Sequence, residues 1–413
     1  MTQKIKQRIE QIQHGEAPDG YTNTPIGVLP SDWGYAPLSE LSDVIEEQVG
    51  DRDYETLSIS AGIGFVNQAA KFGKELSGNQ YSKYIVLHKG DFAYNKGNSN
   101  RYPQGCTYML KERETAAVPN VFECFRIHDD VPKYYEQLFL FGFMNKQLAR
   151  LINHGVRDDG LLNLTDKDFY SVILPVPPTE EQRKIAEILA TCDRVIQLKQ
   201  KLVDELKKLK KGCLEKMFPQ KGNSVPEIRF PGFTAPWELC MLGDVVDFLD
   251  TMRKPLEGTK RVFGPYPYYG ASGIVDYVDD YIFDEQLILL SEDGANILER
   301  SYPVCFLASG KYWVNNHAHV LRAKAGNDNA FISISLEQKD YKQYNSGMAM
   351  PKLNQQVCRR IPICCPSHQE QRIIGDYFIN LDKITSLYQH EIEAEQRQKK
   401  ALMQLLLTGI VRV

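Results

Sequence analysis

The sequence predicts an α+β protein of two mixed domains joined by two long antiparallel coiled-coil helices, with a pseudo-twofold internal repeat. Two observations carry this prediction: a helical segment that occurs twice, and a tryptophan motif upstream of each copy. The segment LPVPPTEEQRKIAEILATCDRVIQL begins at Leu174, and IPICCPSHQEQRIIGDYFINLDKITSL begins at Ile361. From Gln182-Arg183 and Gln371-Arg372 onward they align without gaps, matching Ile185 with Ile374, Leu189 with Phe378, Asp193 with Asp382 and Leu198 with Leu387. Upstream, the stretch from Trp33 through Leu38 to Glu40 matches Trp237 through Leu242 to Asp244, each tryptophan preceded by a nearby proline. The order is therefore tryptophan motif, variable region, helix, then the same again.

Residues 1–28 form a leader: a short amphipathic helix, then a loop with Pro18, Gly20 and Pro25. The leader has the layout of the segment after the first long helix, so it reads as the tail of a helix whose body lies at the other end of the chain. Both termini are then expected close together beside one end of the helix pair. Residues 29–178 form the first variable domain and 236–366 the second. Short β-type runs such as Tyr84-Ile-Val-Leu, Leu287-Ile-Leu-Leu and His319-Val-Leu-Arg lie between Gly, Asn and Pro clusters, which predicts a substantial sheet in each.

The long helices are expected at 179–218 and 367–413, separated by a Pro- and Gly-rich linker at 219–235. Thr179 and Ser367 are candidate N-caps after prolines, each with a capping-box partner three residues on, Gln182 and Glu370. Ile185, Leu189, Ile196, Val203, Leu206, Leu209 and Leu214 continue an apolar stripe at three- to four-residue spacing. Phe218-Pro219 and Thr408-Gly409 mark the ends. Each helix is then roughly 40 residues, or about 60 Å, and needs a partner helix to be stable. The other copy supplies it.

Composition is that of a folded protein, 43% hydrophobic and 25% charged over 413 residues. No apolar run approaches the ~20 residues that span a bilayer, and the charged start is no signal peptide. Nine cysteines, among them Cys106, Cys192, Cys305, Cys364 and Cys365, show no paired framework, which suits buried thiols in the cytoplasm. A net charge of −4 neither supports nor excludes nucleic acid, because a basic groove can sit on an acidic body. The run Lys207-Lys208-Leu209-Lys210-Lys211 reads first as the solvated face of a helix, second as contact with an acidic partner or DNA backbone.

A search for catalytic residues finds no convincing set. No glycine-rich phosphate loop of the Walker type is present, and neither Ser60–Gly64 nor Gly270–Gly273 follows the Rossmann spacing. Pro177-Pro178 sits before a helix cap and lacks the Asn-Pro-Pro-aromatic tetrapeptide of an adenine methyltransferase. Glu292-Asp293-Gly294, the nearest thing to a nuclease carboxylate cluster, reads as a turn. His317 and His319 have metal-ligand spacing without a nearby third ligand, so no metal site is assigned.

Two variable domains, each followed by a helix opening Pro178-Thr-Glu-Glu-Gln-Arg183 or Pro366-Ser-His-Gln-Glu-Gln-Arg372, together with Trp33 and Trp237, resemble type I restriction-modification specificity (S) subunits. In the second domain Pro267–Gly273, Glu292–Ala295 and Lys311–Ala318 look like stretches of that family's target-recognition domains; Gly90–Asn95 and the Ser82 region in the first look like another subtype. The resemblance covers essentially the whole chain. It implies a non-catalytic DNA-recognition subunit in which each variable domain reads half of a split double-stranded target, the helices acting as spacer. It implies two methylation subunits docked on the frame, transferring methyl groups to adenine, and two restriction subunits where these are present. S-adenosylmethionine, ATP and magnesium belong to those partners, and no cofactor is expected on this chain. Gln182, Arg183, Gln371 and Arg372 are the candidate partner-docking residues.

Side chains that reach base edges carry sequence information, while phosphate contacts position the protein. The candidate DNA-binding residues are Asn95, Lys96, Asn98 and Arg101 in the polar loop of the first domain. In the second they are Arg253, Lys254, Ser272, Lys311, Asn315, Asn316 and His317. Trp313 reads as core, His317 equally as a buried hydrogen-bonding group, and Tyr268 and Tyr269 as either core or DNA-facing. Two other functions fit the same residues: the specificity component of a two-gene type II system that cuts on both sides of its site, and a coiled-coil scaffold without a DNA role.

Overall fold

A computed structural model describes residues 3–74, 78–97, 101–152, 161–220 and 222–413. The apolar stripes become two helices, Thr179–Lys216 of 38 residues and His368–Leu407 of 40 residues. Gly409 ends the second in the left-handed region at φ 70°, where a side chain would also strike Pro30. At the N-termini the expected capping boxes do not close. Thr179 is itself the first helical residue, following Pro178, and Glu370 turns its carboxylate to Arg229 while only the Ser367 hydroxyl accepts from the Glu370 N–H. A buried ion pair has outcompeted the local cap.

The chain divides into two compact units, Met1–Leu198 with Ile392–Val413, and Lys199–Glu391. In the first unit a four-stranded antiparallel sheet runs in the order Ser42–Val44, Glu123–Ile127, Phe92–Asn95, Cys106–Met109. Helix Pro132–Phe141 contributes Tyr134, Tyr135 and Leu138 to the core it shares with this sheet. The Phe92 and Phe125 rings stack at 5.4 Å, and Phe139 meets Phe92 edge-on at 5.3 Å. Each such fully buried ring contributes roughly 1.5–3 kcal/mol. The same core takes in Ile185 and Leu189 of the first long helix and Met403, Leu406 and Leu407 of the second. The helices run antiparallel here, since Asp193 meets Lys399 at 2.6 Å and Glu181 meets Arg412 at 2.7 Å.

In the second unit the corresponding sheet runs Val246–Phe248, Ala318–Ala323, Leu287–Ser291, Cys305–Ala308, again antiparallel. The first, last, second and third strands of each set lie in the same order, although the two variable sequences do not resemble each other. A second four-stranded sheet orders Gly273–Val278, Tyr266–Gly270, Lys311–Val314, Phe283–Asp284, whereas the further sheets among the described residues of the first unit are two-stranded. Met217, Phe218, Trp237, Phe331, Ile374 and Phe378 share the main core. The helix segments of this unit also pair antiparallel, with Lys199 3.1 Å from Glu391 and Lys210 2.6 Å from Asp382.

The repeated motifs prove to be paired within each unit. The strand after Trp33, Gly34–Pro37, pairs with Ile173–Val176, which leads into the first long helix. The strand after Trp237, Glu238–Met241, pairs with Pro362–Cys365, which leads into the second. The expectation that the chain's ends meet also holds: Arg8 donates to the Ile410 carbonyl at 2.5 Å, and the Tyr21 hydroxyl to that of Gly409 at 2.8 Å. Among the described residues no helix is long and apolar enough to cross a membrane.

Candidate nucleic-acid interface

In the second unit the chain reverses at Gly270–Gly273 between two paired strands, and Ser272 is exposed at the tip. Strand Lys311–Val314 lies parallel to the first of these and delivers Asn315, Asn316 and His317 beside that turn. The Asn315 N–H donates to the Tyr269 carbonyl at 3.0 Å, and its side chain is buried, accepting from the His317 N–H at 2.8 Å. Asn316 and His317 are exposed. Lys254 is exposed too, its carbonyl accepting from the Trp313 indole N–H at 2.6 Å. Lys254, Ser272, Asn316 and His317 are thus all exposed. Lys311 is set apart from them: it sits at the opposite end of its strand, with its ammonium 4.6 Å from the centre of the Tyr281 ring. Trp313 and Tyr268 lie in a small buried cluster, as core residues do.

Beneath these loops is a buried charged network. Arg253 is turned inward, donating to Glu292 at 2.6 Å and to the Ala318 carbonyl at 2.8 Å. Both ring nitrogens of His319 face acceptors, Asp250 at 2.7 Å and the Leu353 carbonyl at 2.8 Å. A neutral imidazole has one N–H, so two acceptors select the doubly protonated cation. Burial favours the neutral ring, but the hydrogen bond from His319 to Asp250 prevails and lifts its pKa to about 10. Burial likewise pushes the Asp250 carboxyl up, and bonds from His319 and the Val320 N–H, with Arg253 nearby, bring it below its usual range. His317 and His319, two positions apart, therefore do different things: His317 sits at the surface against Asp293 at 2.9 Å, and His319 is sealed in the network. Asp250 carried no motif that sequence reading could single out.

In the first unit Asn95 ends strand Phe92–Asn95, its side chain accepting from the Gly97 N–H at 2.8 Å. Lys96 is buried between Glu123 at 2.5 Å and Asp166 at 2.9 Å. Burial works against its charge, but the two carboxylates raise its pKa nonetheless. Arg101 is exposed, its guanidinium 5.8 Å from the Tyr102 ring centre, and Asn98 lies outside the described residues. Lys96 and Arg253 are thus engaged with carboxylates, whereas Arg101, Lys254, Ser272, Lys311, Asn316 and His317 are open to solvent.

The helix starts show the same division. Gln182 is buried, donating to Asp129 at 2.9 Å and to the Pro177 carbonyl at 3.0 Å. Gln371 is its counterpart, donating to Asn327 at 3.2 Å and to the Pro366 carbonyl at 3.0 Å while accepting from the Asp328 N–H. The amides fasten each helix to its own domain, and Arg183 and Arg372 remain exposed.

Fold and site together define a two-domain protein with a repeated helix-anchored unit and a preorganised polar loop on the second. A family model described as type I restriction modification DNA specificity domain matches residues 30–208 and 235–396. The chain belongs to this family. The type I restriction enzyme MjaVIII specificity subunit of Methanocaldococcus jannaschii is 26% identical over 68% of this chain and 72% of that protein. A putative MjaX specificity subunit from the same organism is 23% identical over 96% of this chain and 97% of its own. A putative specificity subunit of Haemophilus influenzae is 34% identical, over 35% of this chain and 37% of that protein. The crystal structure of a type I restriction-modification S subunit from M. genitalium superposes with a TM-score of 0.62, covering 91% of this chain and 96% of that one at 16% identity.

Proposed function

We propose that this chain is a non-catalytic cytoplasmic subunit that reads a split double-stranded DNA target, one half with each domain, and holds two methylation subunits that methylate adenine. Restriction subunits, where present, join the same frame. The observation that carries this reading is the duplication itself: two domains of like sheet order, each pinned by a buried Gln to the start of its own long helix. In this reading each domain supplies one reading surface, and the paired helices act as the spacer of the split target. In the second domain Asn316 and His317, with Ser272, would meet base edges, while Lys254 and Lys311 would position the phosphate backbone. Arg101 and Asn95 would serve the first half-site. Arg253 and Lys96 act from below by holding the loops, and Arg183 and Arg372 are the exposed docking candidates on the helices.

The test is to express the chain with its neighbouring methylation gene in a host free of DNA methylation and sequence the methylome. New adenine methylation at a two-part motif with a constant gap is the expected result. Co-purification of the two proteins without any new methylated motif would overturn the reading.

A further inference from the structure

Across Asp293 from His317 the chain forms a short loop whose tip carries Met348, fully exposed at 105%, and Met350, 61% exposed. Two large apolar side chains held in water on one tight turn call for an explanation, because the loop is constructed, not slack. The Asn345 side chain accepts from the N–H groups of Gly347 at 3.0 Å and Lys352 at 2.9 Å. The Ser346 N–H closes the base on the Lys352 carbonyl at 2.8 Å. A side chain at Gly347 would place its Cβ 1.8 Å from the Met350 carbonyl oxygen, so the turn depends on glycine.

The loop is also fixed to the proposed reading surface. Asp293 bridges Lys352 through its backbone and holds the His317 ring through its carboxylate at 2.9 Å. The Gly294 N–H donates to the Pro351 carbonyl at 3.0 Å, and the Leu353 carbonyl receives the His319 ring. One residue, Asp293, therefore sets both the polar loop and the methionine loop, and the buried histidine braces them from below.

We propose that Met348 and Met350 form an apolar wall of the second domain's DNA-reading surface, contacting thymine methyl groups in the major groove beside the polar contacts of Asn316 and His317. The proposal rests on the DNA-reading function above. The thymine 5-methyl is the apolar mark that the major groove offers. An unbranched thioether chain can adjust to it, and the pinned turn limits the ordering cost on binding.

The experiment uses the full chain assembled with its methylation subunit and duplexes carrying the methylated motif. Each thymine of the second half-site is replaced in turn by uracil, which lacks only the 5-methyl. For the native complex at least one replacement is expected to weaken binding by about fourfold, the worth of one buried methyl-sized group. The double variant Met348→Ala, Met350→Ala is expected to assemble and melt as the native chain does, bind the thymine duplex about fourfold or more weakly, and no longer distinguish uracil. Unchanged discrimination in the variant, or a half-site without A·T pairs, would overturn the proposal. So would loss of assembly with an unchanged melting profile, which would place the methionines against the methylation subunit. A native complex that binds no specific duplex would overturn the function itself.

Discussion

Arg412 and Glu181, 231 positions apart, meet in a two-pronged ion pair, with Nε and Nη2 of the arginine each 2.7 Å from a carboxylate oxygen. The same carboxylate accepts from the Trp33 indole at 2.9 Å, and Arg412 also reaches Asp32. The second unit repeats the device: Arg229, in the segment after the first long helix, takes both oxygens of Glu370 at the start of the second. The segment leaving each long helix thus clamps the beginning of the other.

The two clamps differ in depth, and their variants should differ accordingly. Arg229 and Glu370 are 13% and 1% exposed, so Arg229→Ala leaves a carboxylate without its counter-charge and is expected to cost about 3–5 kcal/mol. Arg412 is 37% exposed and water can replace part of it, so Arg412→Ala is expected to cost less, about 1–3 kcal/mol. Urea unfolding of both variants checks this order; a larger loss for Arg412→Ala would contradict it.

Between neutral and alkaline pH, His319 is expected to be a main source of the pH dependence of stability. Its pKa rises from 6.5 in the open chain to about 10 in the folded one. The contribution is therefore fully present below about pH 6.5 and is lost as pH rises through about 10. The second unit should lose roughly a few kcal/mol between pH 7 and 10. In His319→Gln, less stable at neutral pH, this slope should largely vanish. Thermal melting at pH 6.5, 8.5 and 10 of both proteins decides it, and parallel pH curves would exclude His319 as the source.

Readers and positioners should separate in binding assays. Asn316→Ala is expected to weaken binding to the methylated motif by roughly tenfold or more and to relax the second half-site alone. Lys254→Ala should weaken all duplexes about equally and reduce the salt slope by about 1. Arg101→Ala should leave the second half-site untouched. Binding titrations at several salt concentrations, with single-base variants of each half-site, tell these apart. Equal loss of specificity in both halves from Asn316→Ala would argue against independent reading by the two domains.

The repeat, the helices and their ends were legible because they rest on local rules: an apolar stripe at Ile185, Leu189, Ile196 and Val203, and Gly409 where a helix must stop. The side-chain partners were not. Gln182 and Gln371 look in sequence like exposed polar residues on a helix, but each is needed to satisfy carbonyls at Pro177 and Pro366 and is drawn inward. Lys96 and Arg253 read as basic loop residues; their carboxylates, Glu123, Asp166 and Glu292, lie 27 to 70 positions away, beyond any local pattern. The methionine loop gave no signal because exposure is a property of the fold. Local chemistry writes elements into a sequence, whereas long-range ion pairs become visible once the sheet order brings their strands together.

The helix pair gives the last prediction. Lys199 and Glu391 lie opposite each other at 3.1 Å, so insertions near Leu202 and at Glu391 enter the two helices at nearly one level. Four added residues lengthen each helix by about 6 Å and rotate the downstream turns by only about 40°, which keeps the apolar stripes roughly facing. If the helices set the distance between half-sites, the paired insertion should lengthen the unread gap by about two base pairs, at ~3.4 Å each, with both half-sites unchanged. An insertion in one helix alone should break the pairing of Lys210 with Asp382 or of Asp193 with Lys399 and lower stability without a clean new gap. Methylome sequencing of the paired and single insertions provides the readout. An active paired variant with the original gap would show that spacing is set elsewhere in the complex.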